Sequence, residues 1–370
     1  MAEPDLVWSS DAPVLGLRAA RTGRDVWVAA ERLGVPAAAL SPALVEPGLR
    51  LLVDDESGAA GLLRRQWAED GTADAVLLLR SGMRIDQPGV LATAAGWGCD
   101  RVRDERTGDV RPVPVPPDDA PLAQRFRHLA ALAATRVEVA VTLARGAGQD
   151  RTKDDGSPAI AADEAAHTAA AAVFRALGVT VLSEERRDAP VADDVPWVVL
   201  DPLDGTGNFA AGMPPWAFSA GLVIAGRPVA GLVADLSSGR RWEGSDGAGA
   251  WRDGVPAAPR TGTTVVVPSA PSGGTVGVPP TARRVRVTGC TAIDLCLVAD
   301  GAAAAWHDVD RTGTHVHDVA GGLAVLLAAG GVALTPDGEP LELRPDTEQR
   351  IRLVAAPSAR AAQELLAALG

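Results

Sequence analysis

The feature that most constrains the fold is an apolar run, Trp197-Val198-Val199-Leu200, that leads directly into the acidic turn Asp201-Pro202-Leu203-Asp204-Gly205. The run predicts a buried strand, and the proline and glycine predict a turn after it. Two carboxylates therefore follow the carboxyl end of a strand, where open α/β sheets bind their ligands. Two carboxylates and a backbone carbonyl are hard oxygen ligands of the kind that Mg²⁺ prefers. Taken alone, the feature leaves an ordinary acidic turn equally open.

Four segments of the chain, in the same order, resemble the inositol monophosphatase family of Mg²⁺-dependent, lithium-sensitive phosphatases. They are residues 152–158 with Ala162-Asp163, then Ser183-Glu184-Glu185, then residues 201–209, and finally residues 317–322. One such match is weak, whereas four in order are a strong signal. The resemblance covers about residues 120–370. It implies an α/β fold, a layered α/β/α/β/α sandwich of the inositol monophosphatase/fructose bisphosphatase type.

The resemblance assigns a role to each residue of the expected site. The residues assigned to two Mg²⁺ ions, with Asp201 shared and a third, weaker ion near Glu185, are Glu185, Asp201, the Leu203 carbonyl, Asp204 and Asp318. The residues assigned to catalysis are Asp163 and Thr206, which would orient and deprotonate an attacking water, and Lys153, a cation near the metals. The backbone amides of Gly205 and Thr206 would hold the phosphate.

Most of these side chains also have an ordinary structural alternative. Lys153 and the Glu184–Glu185 pair are residue types that usually lie solvated at a surface. Asp163 and Asp318 precede or open helical patterns, where an aspartate often serves as a helix cap. The matched family context favours the site in each case, and of the two glutamates it favours Glu185.

A substrate-binding acid is expected just upstream of Asp318. The family often has a glutamate after an aromatic residue here, which binds substrate hydroxyls, and Asp308 in Trp306-His307-Asp308 occupies this segment. The loop that follows is longer than in the family pattern, so His307 and Asp310 remain alternatives to Asp308. The tryptophan of the family's last segment is His317. These departures bear on the identity of the substrate and leave the metal ligands unchanged.

The function implied by the resemblance is hydrolysis of a phosphate monoester of inositol, a sugar or another small polyol by direct attack of a metal-activated water. Histidinol phosphate and a nucleotide 3′-phosphate remain alternative substrates. A non-catalytic regulator on the same fold is an alternative of another class. The complete set of carboxylates argues against it, because clustered buried charges are costly without metals to neutralise them.

Composition excludes several classes of partner. The chain has 35 basic and 47 acidic residues and a net charge of −12, which argues against a nucleic acid or an anionic membrane as a partner. Its three cysteines have no metal-like spacing, and its first residues lack the pattern of a signal peptide. We therefore expect a cytoplasmic enzyme for a small phosphorylated metabolite. A homodimer stays open.

Residues 1–118 match no part of the family pattern and form, by prediction, a separate α/β domain of unknown role. Strands are predicted at residues 51–53 and 75–79, and amphipathic helices at residues 24–33 and 59–68. The proline-rich segment 111–121 predicts the boundary to the phosphatase-like domain at residues 119–370. In that domain we expect a helix at 122–145, a helix at 164–177, strands at 179–182, 218–223 and 229–234, and a helix from Asp318 to residue 327.

Overall fold

The computed structural model describes residues 107–144, 149–152, 158–184, 195–268, 277–309 and 312–369, together with seven strands before residue 105. The predictions for Lys153, Glu185 and Asp310 concern residues outside this part of the chain. None of the helices in the described part of the chain is long and apolar enough to cross a membrane.

The first part of the chain contributes a sheet of eight strands in sequential order. The strands are β1 (Leu6–Ser9), β2 (Leu17–Thr22), β3 (Asp25–Ala30), β4 (Arg50–Asp55), β5 (Leu62–Trp67), β6 (Ala73–Leu79), β7 (Arg101–Asp104) and β8 (Val110–Pro112). The β3–β4 and β6–β7 pairs are parallel, and the other pairs are antiparallel. The predicted strands at 51–53 and 75–79 are confirmed by β4 and β6.

The two helices predicted in this region are wrong, because residues 25–30 and 62–67 form β3 and β5. The sequence of β3 contains Val26, Trp27 and Val28, residue types that favour strands. β5 pairs with β4 on one side and β6 on the other. Such pairing overrides a local preference for helix. The role of residues 1–118 and the boundary at residue 118 stay predictions.

After residue 112, the described residues form six helices and two main sheets. The helices are α1 (Leu122–Ala144), α2 (Ala161–Phe174), α3 (Thr206–Ala211), α4 (Thr291–Ala299), α5 (Val316–Ala328) and α6 (Ala359–Leu369), with a 3₁₀ turn at Arg175–Leu177. The first sheet, in spatial order, is β11 (Thr180–Ser183), β12 (Trp197–Asp204), β13 (Ala217–Ile224), β14 (Arg227–Asp235), β15 (Arg241–Ser245), β16 (Gly249–Arg252) and β17 (Val255–Pro256). In this sheet β11 and β12 are parallel, and the other pairs are antiparallel.

The second sheet, in spatial order, is β19 (Arg284–Arg286), β18 (Thr264–Val266), β20 (Ala305–His307), β24 (Val354–Ala356) and β22 (Val332–Leu334). Two short antiparallel pairs complete the elements: β9 (Gln149–Thr152) with β10 (Pro158–Ile160), and β21 (Thr314–His315) with β23 (Arg350–Ile351). The predicted strands at 179–182, 218–223 and 229–234 are confirmed by β11, β13 and β14.

These elements stack as five layers, α/β/α/β/α, as the sequence predicts. Helices α1 and α2 pack on one face of the first sheet, while α4 and α5 lie between the two sheets and α6 packs on the far side of the second. The alternation of side chains along β12 explains why the run from Trp197 to Leu200 is apolar throughout. Val198 and Leu200 belong to the core beneath α1 and α2, whereas Trp197 and Val199 belong to the core shared with α4 and α5. Both faces of the strand are therefore buried.

Helix α5 approaches the first sheet unusually closely. A Cβ placed on Gly231 of β14 would lie 2.3 Å from the Gly321 carbonyl oxygen, and one on Gly221 of β13 would lie 2.9 Å from the Ala320 backbone. Side chains at these positions are excluded, so the glycines let α5 rest on the sheet. This contact brings the first turn of α5, which carries Asp318, beside the end of β12.

Two helix starts differ from the prediction. Helix α1 confirms the helix at 122–145, but α2 begins at Ala161, so Asp163 lies in its first turn and is not its cap. The chain passes directly from β10 into α2, which moves the start upstream. Helix α5 begins at Val316, two residues before Asp318, because His315 takes the capping position.

Candidate metal centre

Three carboxylates from two elements meet at the end of β12. Asp201 and Asp204 lie on β12, and Asp318 lies in the first turn of α5; each offers an oxygen within 4.8 Å of the others. Asp201 is 2% exposed and Asp204 is 8% exposed. A buried set of three acidic oxygens is suited to a hard divalent cation.

Each carboxylate is held by hydrogen bonds from its surroundings. Asp201 Oδ1 accepts the Leu203 N–H at 3.1 Å, which fixes the turn within the motif. Asp318 Oδ2 accepts the Thr314 hydroxyl at 2.5 Å and the His315 N–H at 2.8 Å. The second bond also satisfies a backbone donor at the start of α5. These bonds keep the carboxylates in fixed positions.

Asp204 is held from the layer between the sheets. Its Oδ2 accepts the Ala292 N–H from the first turn of α4 at 2.8 Å and lies 3.1 Å from Cys290 Sγ. Burial, followed by the charge of Asp204, raises the pKa of the Cys290 thiol well above its usual value, so the thiol stays protonated and donates. These two contacts both involve Oδ2, so Oδ1 is left for another ligand.

The surroundings of Asp204 disfavour its ionised form. Burial, the neighbouring charge of Asp318 and the charge of Glu184 raise the pKa of Asp204 to about 7. Hydrogen bonds from Ala292 and Cys290 oppose this shift. The influence of Glu184 also shows that this residue, in the turn after β11, lies near the cluster. The assignment of Glu185 as a ligand stays a prediction.

Thr206 and Asp163 form a second part of the site. The Thr206 hydroxyl lies 3.1 Å from Asp163 Oδ1 and 3.0 Å from the Leu203 carbonyl oxygen. Asp163 is 3% exposed on α2, while Thr206 is the first residue of α3. The two residues that the family resemblance pairs are therefore in contact, and an acceptor is in place for a proton passed through the Thr206 hydroxyl.

The turn that carries Gly205 is built to bring its backbone close to other chain segments. Gly205 has a φ of +84°, and a Cβ there would lie 3.1 Å from the Pro215 carbonyl oxygen. Asn208 ties the same region together, since its Nδ2 donates to the Pro215 and Thr288 carbonyl oxygens, each at 2.8 Å. The backbone at Gly205 and Thr206 is therefore fixed next to the carboxylates.

A cleft of about 210 Å³ adjoins the carboxylates. Its lining residues are Pro268, Gly289, Cys290, Thr291, Asp294, Gly313, Thr314, Asp318 and Arg350. Neither His307 nor Asp308 is among the described residues that line the cleft, and Asp308 is only 1% exposed. The hydroxyl-binding role of Asp308 stays a prediction, and Asp310 lies outside the described residues.

The sequence interpretation gave no role to two residues of this cleft. They are Cys290 and Arg350, and no sequence motif includes either of them. Their positions depend on contacts between distant segments: Cys290 meets Asp204 across 86 residues, and β23 pairs with β21. A local motif carries no signal for either contact.

The sequence of this chain is similar to those of known phosphatases. Residues 120–369 match the model of the inositol monophosphatase family. A fructose-1,6-bisphosphatase/inositol-1-monophosphatase from Thermococcus kodakarensis is 31% identical over 196 residues, which cover 52% of this chain and 75% of that protein. An Archaeoglobus fulgidus protein of the same name is 30% identical over 223 residues, which cover 56% of this chain and 84% of that protein.

A solved structure shows the same fold. A Pyrococcus horikoshii protein with similarities to inositol-1 monophosphatase aligns with a TM-score of 0.57 at 24% identity. The alignment covers 67% of this chain and 99% of that one. The part of this chain outside the alignment is thus an addition to the shared fold.

Proposed function

Because the chain belongs to the inositol monophosphatase family, we propose that it is a metal-dependent phosphomonoesterase for a small inositol, sugar or polyol phosphate. The observation that carries the proposal is the buried cluster of Asp201, Asp204 and Asp318 beside a cleft. The names of the relatives from Thermococcus kodakarensis and Archaeoglobus fulgidus support a sugar or inositol phosphate as the substrate.

The residues present fit a divalent cation. Three carboxylates lie close together here, and burial, followed by the charge of Asp318, raises the pKa of Asp204 to about 7. A cation at this point would offset the repulsion, and oxygen ligands without histidine or cysteine favour Mg²⁺ over softer metals. Asp201, Asp204 and Asp318 would hold the first ion. Glu184 or Glu185, with the Leu203 carbonyl, would contribute to a second, and a third, weaker ion would lie near the glutamate.

When bound, Mg²⁺ neutralises charge on the phosphate and lowers the pKa of a coordinated water. The protein's own contribution is to place and deprotonate the nucleophile. Thr206 Oγ1 accepts a proton from the attacking water while it passes its own to Asp163 Oδ1, 3.1 Å away. The buried position of Asp163 on α2 holds this acceptor in line. Lys153 would add a positive charge near the phosphate.

The Gly205–Thr206 backbone supplies the phosphate-binding groups in this proposal. Its amides lie at the start of α3, and Asn208 fixes the segment against the loop at Thr288. Preorganised N–H donors of this kind stabilise the charge that develops on a phosphoryl group without reorganisation during the reaction. In this proposal, Asp308 would accept hydrogen bonds from the hydroxyl groups of the substrate. Inhibition by Li⁺ belongs to the same proposal.

The test is phosphate release from a panel of esters by the full-length protein. The panel contains myo-inositol 1-phosphate, fructose 1,6-bisphosphate, histidinol phosphate, a nucleoside 3′-phosphate and the generic ester para-nitrophenyl phosphate. We expect turnover of an inositol or sugar ester with added Mg²⁺ and loss of turnover in excess chelator. Preference for histidinol phosphate or the nucleotide would replace the proposed substrate class. Absence of turnover with every ester would contradict the proposed function.

A further inference from the structure

The cleft beside the carboxylates contains one positive charge with no assigned role. Arg350 is the only basic residue among the described residues that line it, and the acidic residues there are Asp294 and Asp318. We infer that Arg350 forms a subsite for a second anionic group of the substrate, a phosphate or a carboxylate, on the same small molecule as the ester that is hydrolysed. This inference rests on the proposed phosphatase function and specifies its substrate class.

The guanidinium group of Arg350 is available to a ligand. Arg350 is exposed, and its Nη1 donates to the Gly313 carbonyl oxygen at a long 3.3 Å. Within the described residues, no carboxylate forms an ion pair with it. Since a guanidinium carries five N–H donors, most remain for an anion, and their fork matches a phosphate or a carboxylate.

The backbone fixes Arg350 relative to the metal centre. Arg350 lies on β23, opposite His315 of β21, and the His315 N–H donates to Asp318 Oδ2 at 2.8 Å. The same short strand therefore binds the candidate metal ligand and the strand that carries the arginine. Gly313 tightens this pairing, because a Cβ there would lie 2.9 Å from the Ile351 carbonyl oxygen. The spacing between the two charged ends of the cleft is set by this ladder.

The charges of the cleft favour a substrate that carries two separate anionic groups. At the carboxylate end, metal ions would neutralise the acids and bind the phosphate that is removed. At the Arg350 end, a neutral polyol would leave the guanidinium group without an anionic partner. A second phosphate or carboxylate would satisfy it, and a charged hydrogen bond of this kind is worth about 1.5–3 kcal/mol, or about 10- to 100-fold in affinity.

The experiment compares pairs of esters that differ in the second anion. Fructose 1,6-bisphosphate is paired with fructose 1-phosphate, and 3-phosphoglycerate with glycerol 3-phosphate. kcat and KM are measured with Mg²⁺ for the wild type, Arg350→Gln and Arg350→Lys. Arg360→Gln is the matched control, because Arg360 is an exposed arginine of α6 that pairs with Glu364. The first pair tests a second phosphate, and the second pair tests a carboxylate.

In at least one pair, we expect Arg350→Gln to lower kcat/KM about 10- to 100-fold for the ester that carries the second anionic group. The loss should arise mainly from a higher KM. For the ester without the second anionic group, kcat/KM should change less than about threefold. Arg350→Lys should recover part of the loss, and Arg360→Gln should behave as the wild type. An equal loss for both members would place Arg350 on the transferred phosphate and overturn the inference. Unchanged discrimination in both pairs would overturn it as well.

A binding measurement separates this inference from the proposed function. If no ester is hydrolysed, the phosphatase proposal fails, and calorimetry with 3-phosphoglycerate and fructose 1,6-bisphosphate still decides on Arg350. A Kd at least about tenfold weaker in Arg350→Gln for either compound supports the anion subsite. Equal Kd values for the wild type and the variant for both compounds contradict it.

Discussion

Cys290 Sγ lies 3.1 Å from Oδ2 of Asp204, although 86 residues separate them. Together with the Ala292 N–H, the thiol holds one oxygen of a candidate metal ligand and leaves the other for a cation. Hydrogen bonds to a ligand carboxylate fix its geometry, and their loss typically weakens metal binding. We therefore propose that Cys290 is a positioning residue for the candidate metal centre, a role that does not depend on nucleophilic chemistry.

The first prediction concerns this contact. Cys290→Ala should raise the Mg²⁺ concentration needed for half-maximal activity about 10-fold, because Asp204 loses a hydrogen bond. Cys290→Ser should retain most of the affinity, since a hydroxyl also donates. Calorimetric Mg²⁺ binding provides a readout that is independent of turnover. Cys296→Ala is the control, because Cys296 is equally buried in α4. Equal Mg²⁺ affinities for Cys290→Ala and the wild type would show that the contact only fills space.

The second prediction distinguishes the two glutamates that follow β11. Glu184→Gln should weaken Mg²⁺ binding, because the charge of Glu184 reaches Asp204. Glu185→Gln tests the ligand that the sequence favours. Loss of a carboxylate ligand should cost turnover about 100-fold at limiting Mg²⁺, and excess Mg²⁺ should restore part of it. The Mg²⁺ dependence of both variants, measured side by side, identifies which residue is the ligand. If neither variant changes it, no glutamate of this pair binds metal.

The third prediction concerns pH and Asp294. Asp294 is buried, and its carboxylate accepts hydrogen bonds from Thr288 Oγ1 and Trp306 Nε1. Burial raises its pKa well above the usual value, so the folded protein keeps a proton that the unfolded chain loses. The folded state therefore loses stability as the pH rises above about 4, through the interval between the two pKa values.

Asp294→Asn should remove this dependence, because an amide can accept from Trp306 and donate to Thr288 without ionising. The gain in unfolding free energy over the wild type should increase with pH, by at least about 1 kcal/mol between pH 5 and pH 9. Urea unfolding in the presence of chelator, at several pH values, measures it. A difference that stays constant over this range would show that Asp294 does not titrate as proposed.

The sequence predicted the parts of the fold that depend on local pattern. The apolar run before Asp201 predicts a buried strand, which β12 confirms, and the five layers follow from the family resemblance. The helices expected over residues 24–33 and 59–68 were wrong, because strand pairing decides such short segments. Helix starts shifted where a neighbouring residue, such as His315, took the cap.

The candidate site divides in the same way. Asp201 and Asp204 lie three positions apart in the sequence, so one motif predicts both. Their proximity to Asp318 follows from the glycines that allow α5 to pack closely on the sheet. The contacts of Cys290 and Arg350 arise from segments that meet only after the layers have packed. No local sequence pattern predicts these contacts. The structure is therefore needed to see how Cys290 contacts Asp204 and that Arg350 lines the cleft.

The most direct test of the central claim is the turnover of Asp201→Asn, measured with saturating Mg²⁺ on the best ester of the panel. Asp201 is the proposed shared ligand of two ions, so its replacement removes charge stabilisation from both. The protein should remain folded, with wild-type circular dichroism and a cooperative thermal transition, while kcat falls at least about 100-fold. Near wild-type kcat in this variant, or full wild-type activity in excess chelator, would contradict a metal centre built on this carboxylate.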